Sequence, residues 1–190
     1  MSDLGIINKI RKIVKIACLS KRNSFGEHVW DTHILKVVRY AKMLGEQLEA
    51  DLEILEIAGL LHDYASILNK ENYEDHHIIG ADLAGNILSQ LGYSQEKIEQ
   101  VQHCILTHRG SQELPRKTLE AKILANADAL AHFDTIPALL WVEFITKESD
   151  LKEGIDQVKN KLQRSWDKLN PEAQKLITDK YQAAKIVLTY

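Results

Sequence analysis

Apolar residues recur at intervals of three and four along almost the whole chain, and scarcely any segment alternates with a period of two. This periodicity is typical of amphipathic α-helices and not of half-buried strands. Turn-forming residues interrupt the pattern around 21–26, 69–75, 92–93, 109–115, 137, 149–150 and 170–171. The pattern therefore predicts an all-α protein of about eight or nine helices.

Residues that begin helices stand at several of these breaks. Favourable N-cap residues are Asp51, Ser94, Ser149 or Asp150, and Asn170 followed by Pro171. No linker, repeat or low-complexity segment separates the helices, so one domain over 1–190 is expected. All eight histidines lie between His28 and His132. We therefore expect the chemistry within a core at 28–132, and packing helices over 133–190.

Composition restricts the partners. The chain has 24 Lys+Arg and 27 Asp+Glu, a formal charge of -3, which gives no general positive field for a nucleic acid polymer. No apolar stretch is long enough for a membrane span, and no signal peptide is recognisable. Cys18 and Cys104 are far apart, which excludes a disulfide framework and a thiolate zinc site. A cytoplasmic protein is expected, and a homo-oligomer is possible.

Polar residues stand on apolar faces in the central part of the chain. His33, His76, His108 and Asp128 each have apolar residues one helical turn away, and His62-Asp63 ends an apolar helix. Any one histidine could simply bond a core carbonyl. Two buried carboxylates, however, need cations, and no Lys or Arg lies on the same stripes. A metal ion would meet that need, and nitrogen and oxygen ligands suit Fe, Mn, Co, Ni or Zn.

This series of polar residues resembles the HD superfamily of metal-dependent phosphohydrolases. Five segments in order carry the resemblance: HILKVVRYAKML at 33–44, AGLLHD at 58–63, HHIIGA at 76–81, ILTHR at 105–109 and ADAL at 127–130. It covers 28–132 and implies an all-α HD-type domain. A lone His-Asp pair would be a weak signal, whereas five ordered elements are specific.

The resemblance implies a centre of two divalent transition-metal ions. The ligands of the first ion would be His33, His62, Asp63 and Asp128, and those of the second would include His76 and His108, with Asp63 bridging. His76 is preferred to its neighbour because it stands four residues before Gly80. The implied reaction is attack of a metal-bound hydroxide on a phosphate ester, in which Asp63 holds or deprotonates the nucleophile.

The chain also departs from the family pattern. Many members carry a lysine three residues after the HD aspartate, where this chain has Ser66. Another cation must then meet the phosphate. Arg109, directly after a ligand, is the first candidate for this catalytic and substrate contact, followed by His28, Lys21 and Arg22. We expect His132 to be structural or to support a ligand.

The expected substrate is a small-molecule phosphate ester, a nucleotide or dinucleoside polyphosphate by analogy with short single-domain members. The Gly-Tyr-Pro signature of cyclic-di-GMP phosphodiesterases is absent. Two alternatives stay open. One is a mixed-valent di-iron oxygenase on the same ligands, and the other is a non-catalytic module that binds metal or nucleotide.

Overall fold

The computed structural model describes residues 3–109 and 114–189, and these contain helices and no β-strand. The α-helices of the described residues are α1 (Asp3–Cys18), α2 (Leu35–Gln47), α3 (Leu52–Leu61), α4 (Tyr64–Leu68), α5 (His76–Gln90), α6 (Gln95–Thr107), α7 (Leu119–Asp134), α8 (Ile136–Trp141), α9 (Leu151–Lys168) and α10 (Pro171–Val187). The all-α prediction is confirmed. The described residues hold one α-helix more than the upper predicted number, because no turn signal separates the short α4 from α3.

The helices pack around a connected set of buried apolar side chains. Helix α2 lies against α3 and α7, α5 lies against α6, and α6 contacts both α3 and α7. Helix α1 crosses α3 and α4, and its Ile10 and Val14 have no exposed surface. The apolar stripe of α1 therefore faces the core, as expected.

Side-chain caps fix the starts of several helices. Asp51, Asp150 and Asn170 each accept hydrogen bonds from backbone N–H groups in the first turn of the following helix. Ser94 precedes α6 but its side chain makes no capping bond. Thr118 caps α7 through the N–H of Ala121, a cap that the sequence reading did not include.

Two local irregularities in the helices determine where His33, His62 and Asp63 lie. Helix α3 ends at Leu61 and α4 begins at Tyr64, so His62 and Asp63 lie at the junction between them. A π-helical segment, Trp30–Ile34, precedes α2 and contains His33. Such segments are rare and are frequent at functional sites.

The C-terminal helices α9 and α10 pack on α7 through buried Val158, Leu162 and Ile177. Leu176 and Val187 of α10 are exposed, at 48% and 78%. Their neighbours on α10 already bury the inner face, so these side chains lie beyond its edge.

None of the helices in the described ranges combines the length and apolar character needed to cross a bilayer.

Candidate metal centre

The carboxylate of Asp63 lies between two groups of imidazole rings. Its Oδ2 is 3.3 Å from Nε2 of His33 and 3.4 Å from Nε2 of His62. Its Oδ1 is 3.4 Å from Nε2 of His76 and 3.9 Å from Nε2 of His108. One carboxylate therefore presents one oxygen to each pair of rings.

We call His33, His62 and Asp128 the first cluster. Nε2 of His33 is 3.2 Å from Nε2 of His62, and 3.6 Å from Oδ1 of Asp128. The Asp128 oxygen is 4.0 Å from Nε2 of His62. These three atoms are close enough to one another to hold a single metal ion.

Asp63, His76 and His108 form the second cluster. Nε2 of His76 lies 3.1 Å from Nε2 of His108. The structure thus brings together all six residues for which metal binding was expected, and it divides them as the resemblance implied. Their roles as ligands remain a prediction that metal analysis must test.

The backbone fixes the orientation of three of these rings. In His62, His76 and His108, Nδ1 bonds the carbonyl oxygen three residues earlier, at 2.9, 2.6 and 2.6 Å. A carbonyl can only accept, so Nδ1 must carry the ring proton. In a neutral imidazole, Nε2 then presents a lone pair to the centre, which is the usual state of a metal-binding histidine.

This arrangement fits a cation. In His76 and His108 both Nδ1 atoms donate to backbone, so the two facing Nε2 atoms would present lone pairs to each other at 3.1 Å. Two acceptors at that distance repel unless a proton or a metal ion lies between them. The nitrogen and oxygen donor set, without thiolate, suits a divalent transition metal.

The cluster charges are strongly coupled. Burial raises the pKa of Asp63, but His62 and His33 outweigh that effect and hold this pKa well below its usual value. Burial lowers the pKa of His108 to well below that of a free imidazole. Both directions favour the ionised carboxylate and neutral ring that metal coordination requires.

A lysine from the last third of the chain reaches the centre. Nζ of Lys168 lies 2.7 Å from Oδ2 of Asp128, and both side chains are about nine-tenths buried. The expectation that only a metal ion could compensate the buried carboxylates is therefore wrong for Asp128. It failed because the pairing cation lies on α9, forty residues away in sequence.

A cavity of about 840 Å³ opens above the two clusters. The loop after α1 and the segment 70–74 form part of its wall. Helix α9 lines another part with Lys161, Arg164 and Lys168. Segment 133–190 was expected to supply packing helices, and α9 packs on α7 but also lines this cavity. Its periodicity showed a buried stripe, but nothing in the sequence showed what its polar face meets.

Of the four predicted substrate contacts, two line the cavity and two do not. Arg109 lines the cavity, and its guanidinium donates to the carbonyl oxygen and the carboxylate of Glu74. His28 also lines the cavity, with its ring edge against Trp141 at 4.7 Å between centroids. The structure does not bring Lys21 and Arg22 to this wall. Both are exposed, because the loop turns other residues inward.

His132 supports the first cluster. Its Nε2 lies 3.6 Å from Oδ1 of Asp128, its Nδ1 lies 3.0 Å from the Ser165 hydroxyl, and its ring stacks on His33. His77 is buried but belongs to neither cluster, in agreement with the preference for His76.

The family model of the HD domain matches residues 30–132, which is more than half of the chain. The chain belongs to the HD domain family. The match confirms the resemblance on which the sequence analysis relied. The described residues have the all-α fold expected of this family.

Several curated relatives of this HD-family chain are Ribonuclease Y proteins. That of Desulforudis audaxviator is 32% identical over 146 residues, which cover 74% of the chain and 26% of the relative. That of Thermosipho melanesiensis is 35% identical over 113 residues, covering 60% and 20%. The chain thus spans about a quarter or less of the length of these relatives.

Solved structures share the fold over nearly the whole chain. Bacillus subtilis YpgQ has a TM-score of 0.70 at 22% identity and covers 96% of this chain and 91% of its own. YpgQ in complex with ADP gives 0.67 at 23%, with 93% and 90% covered. Lin1889 of Listeria innocua gives 0.66 at 18%, with 99% and 94% covered. The helices outside 30–132 therefore also belong to the shared fold.

Proposed function

We propose that this HD-family protein hydrolyses a small nucleotide at a centre of two divalent metal ions. The placement of Asp63 supports this proposal most directly. Its two oxygens face two separate pairs of imidazole rings at the base of a cavity. The ions would activate water for attack on phosphorus and neutralise the phosphoryl oxygens. In the described residues, each of the two clusters could hold one ion.

The chain's own side chains would hold the reactants. Asp63 can accept a hydrogen bond from the attacking water and so orient it toward phosphorus. As the new P–O bond forms, the bond to the leaving group breaks, and the leaving oxygen keeps the electron pair while a water proton passes to solvent. Lys168 keeps Asp128 ionised: burial raises the pKa of that carboxyl, but Lys168 and His132 hold it well below its usual value.

The cavity supports a small molecule as substrate. Its volume of about 840 Å³ lies within the usual range of small-ligand sites. YpgQ, a structural neighbour, was solved with ADP. Ribonuclease Y relatives favour RNA as a second candidate, because their similarity covers much of the chain. The net charge of -3 is less suited to a long polyanion.

The test is a substrate panel with defined metal content. Protein stripped with a chelator is loaded separately with Mn²⁺, Co²⁺, Fe²⁺ or Zn²⁺ and incubated without oxygen with AMP, ADP, diadenosine tetraphosphate and a short single-stranded RNA. We expect phosphate or nucleotide release from a mononucleotide or dinucleotide. Preferential cleavage of RNA would favour the second candidate. In a separate incubation with O₂, turnover of an organic substrate that requires O₂ would instead indicate the oxygenase.

A further inference from the structure

The wall formed by α9 carries positive charge with few compensating carboxylates. Lys161, Arg164 and Lys168 follow one another at intervals of three and four residues, so they lie along one face of the helix. All three line the cavity, and none of the α9 residues that line it is acidic. We call these three residues the α9 wall.

The members of the α9 wall differ in their partners. Lys168 pairs with Asp128. Among residues 3–109 and 114–189, neither Lys161 nor Arg164 has a carboxylate within salt-bridge distance. Two other cations that line the cavity each pair with a carboxylate: Arg109 with Glu74, and Lys147 with Glu143.

The positive side chains of the α9 wall repel one another, because residues three and four apart lie next to each other on a helix. Such a concentration of positive charge on a cavity wall attracts an anion from solution.

The wall also extends away from the metal clusters. Lys168 lies at the first cluster through Asp128, and Lys161 stands seven residues earlier, about 10 Å along the helix axis. A phosphate bound at the clusters would lie beside the Lys168 end of the wall. A chain of linked phosphates would use the remaining length.

We infer that Lys161 and Arg164 form a subsite for a phosphate that is not cleaved. The substrate class is then a nucleoside diphosphate or longer polyphosphate, not a monophosphate. This inference rests on the proposed function, since it places the cleaved phosphate at the metal clusters. It also gives a role to α9 in place of the lysine that many family members carry where this chain has Ser66.

The test compares two ligands that differ by one phosphate. Calorimetry of the Mn²⁺-loaded protein measures binding of AMP and of α,β-methylene-ADP, which cannot be hydrolysed at its bridge. We expect tighter binding of the diphosphate analogue to the wild type. In the Lys161→Gln/Arg164→Gln double variant, this ligand should lose about tenfold or more in affinity, as expected for lost charge-assisted hydrogen bonds, whereas AMP should change little.

The matched control is Lys159→Gln, because Lys159 lies on another face of α9 and pairs with Asp156. It should leave both affinities unchanged. Equal losses for the two ligands in the double variant, or no preference for the diphosphate in the wild type, would overturn the inference. So would a single-stranded RNA that binds more tightly than the diphosphate analogue and loses affinity in the double variant. Phosphate release in the substrate panel tests the proposed function separately.

Discussion

Lys168 and Asp128 form a buried ion pair with Nζ and Oδ2 separated by 2.7 Å, while the other oxygen of Asp128 faces the rings of His33 and His62. The pair joins the last part of α9 to the first cluster. Asp128 therefore has a compensating charge on one side regardless of metal content. Through this pair, α9 contributes both a packing contact and a positive charge to the candidate metal centre.

Replacing Lys168 should destabilise the metal-free protein. Lys168→Met keeps most of the length of the side chain but leaves Asp128 buried without its positively charged partner. This change should lower the free energy of unfolding by about 3 kcal/mol. Urea unfolding in chelator measures the loss, with Lys159→Met as the exposed control. Similar losses in the two variants would show that the pair contributes little.

Removing the charge of Asp63 should remove catalysis. Asp63→Asn removes the carboxylate whose two oxygens face the His33/His62 pair and the His76/His108 pair. We therefore expect metal content to fall and hydrolysis to drop by at least about 100-fold. Metal analysis and phosphate release measure the two effects. Asp82→Asn, on the exposed face of α5, is the matched control. Normal metal content with full activity would contradict a bridging role for Asp63.

The second cluster can be removed separately. His76→Ala/His108→Ala strips two imidazoles from that cluster and leaves His33, His62, Asp63 and Asp128 in place. We expect about one bound metal per chain and loss of most hydrolysis. His103→Ala removes an imidazole of α6 outside the clusters and should retain both metals. A wild type that holds one ion under excess metal would favour a mononuclear centre.

The stability of the helix bundle should depend on Glu56 above about pH 4. The carboxylate of Glu56 accepts hydrogen bonds from Arg11 and Lys42, which join α1 and α2 to α3. Burial raises the pKa of Glu56, but these two cations outweigh it and lower that pKa. The stabilisation is thus complete above the unfolded pKa and is lost as pH falls through the lower folded pKa.

Glu56→Gln tests this dependence. It should lower unfolding free energy by about 1 to 2 kcal/mol at pH 7, and the difference from wild type should shrink as the solution is acidified below about pH 4. Urea unfolding across pH 3 to 7 measures it, with Glu46→Gln on the exposed surface of α2 as control. A constant difference over this range would contradict the linkage.

Local patterns in the sequence were enough to predict the helical class and the six clustered side chains. Periodicity reports which face of a helix is buried, so His33 and Asp128 could be placed inside before any coordinates. The approach of Lys168 to Asp128 could not be predicted, because it depends on how α9 packs against α7. The exposure of Lys21 and the pairing of Arg109 with Glu74 depend on loop conformation for the same reason.

The carbonyl contacts of His62, His76 and His108 affect how this protein can be altered. Each ring is oriented by a main-chain oxygen, and two of the three rings lie at the C-terminal ends of α3 and α6. Substitutions around the rings leave these anchors in place as long as the helices persist. The side chains of the cavity walls could therefore be replaced to accept a new substrate, while the rings of the two clusters keep their orientation.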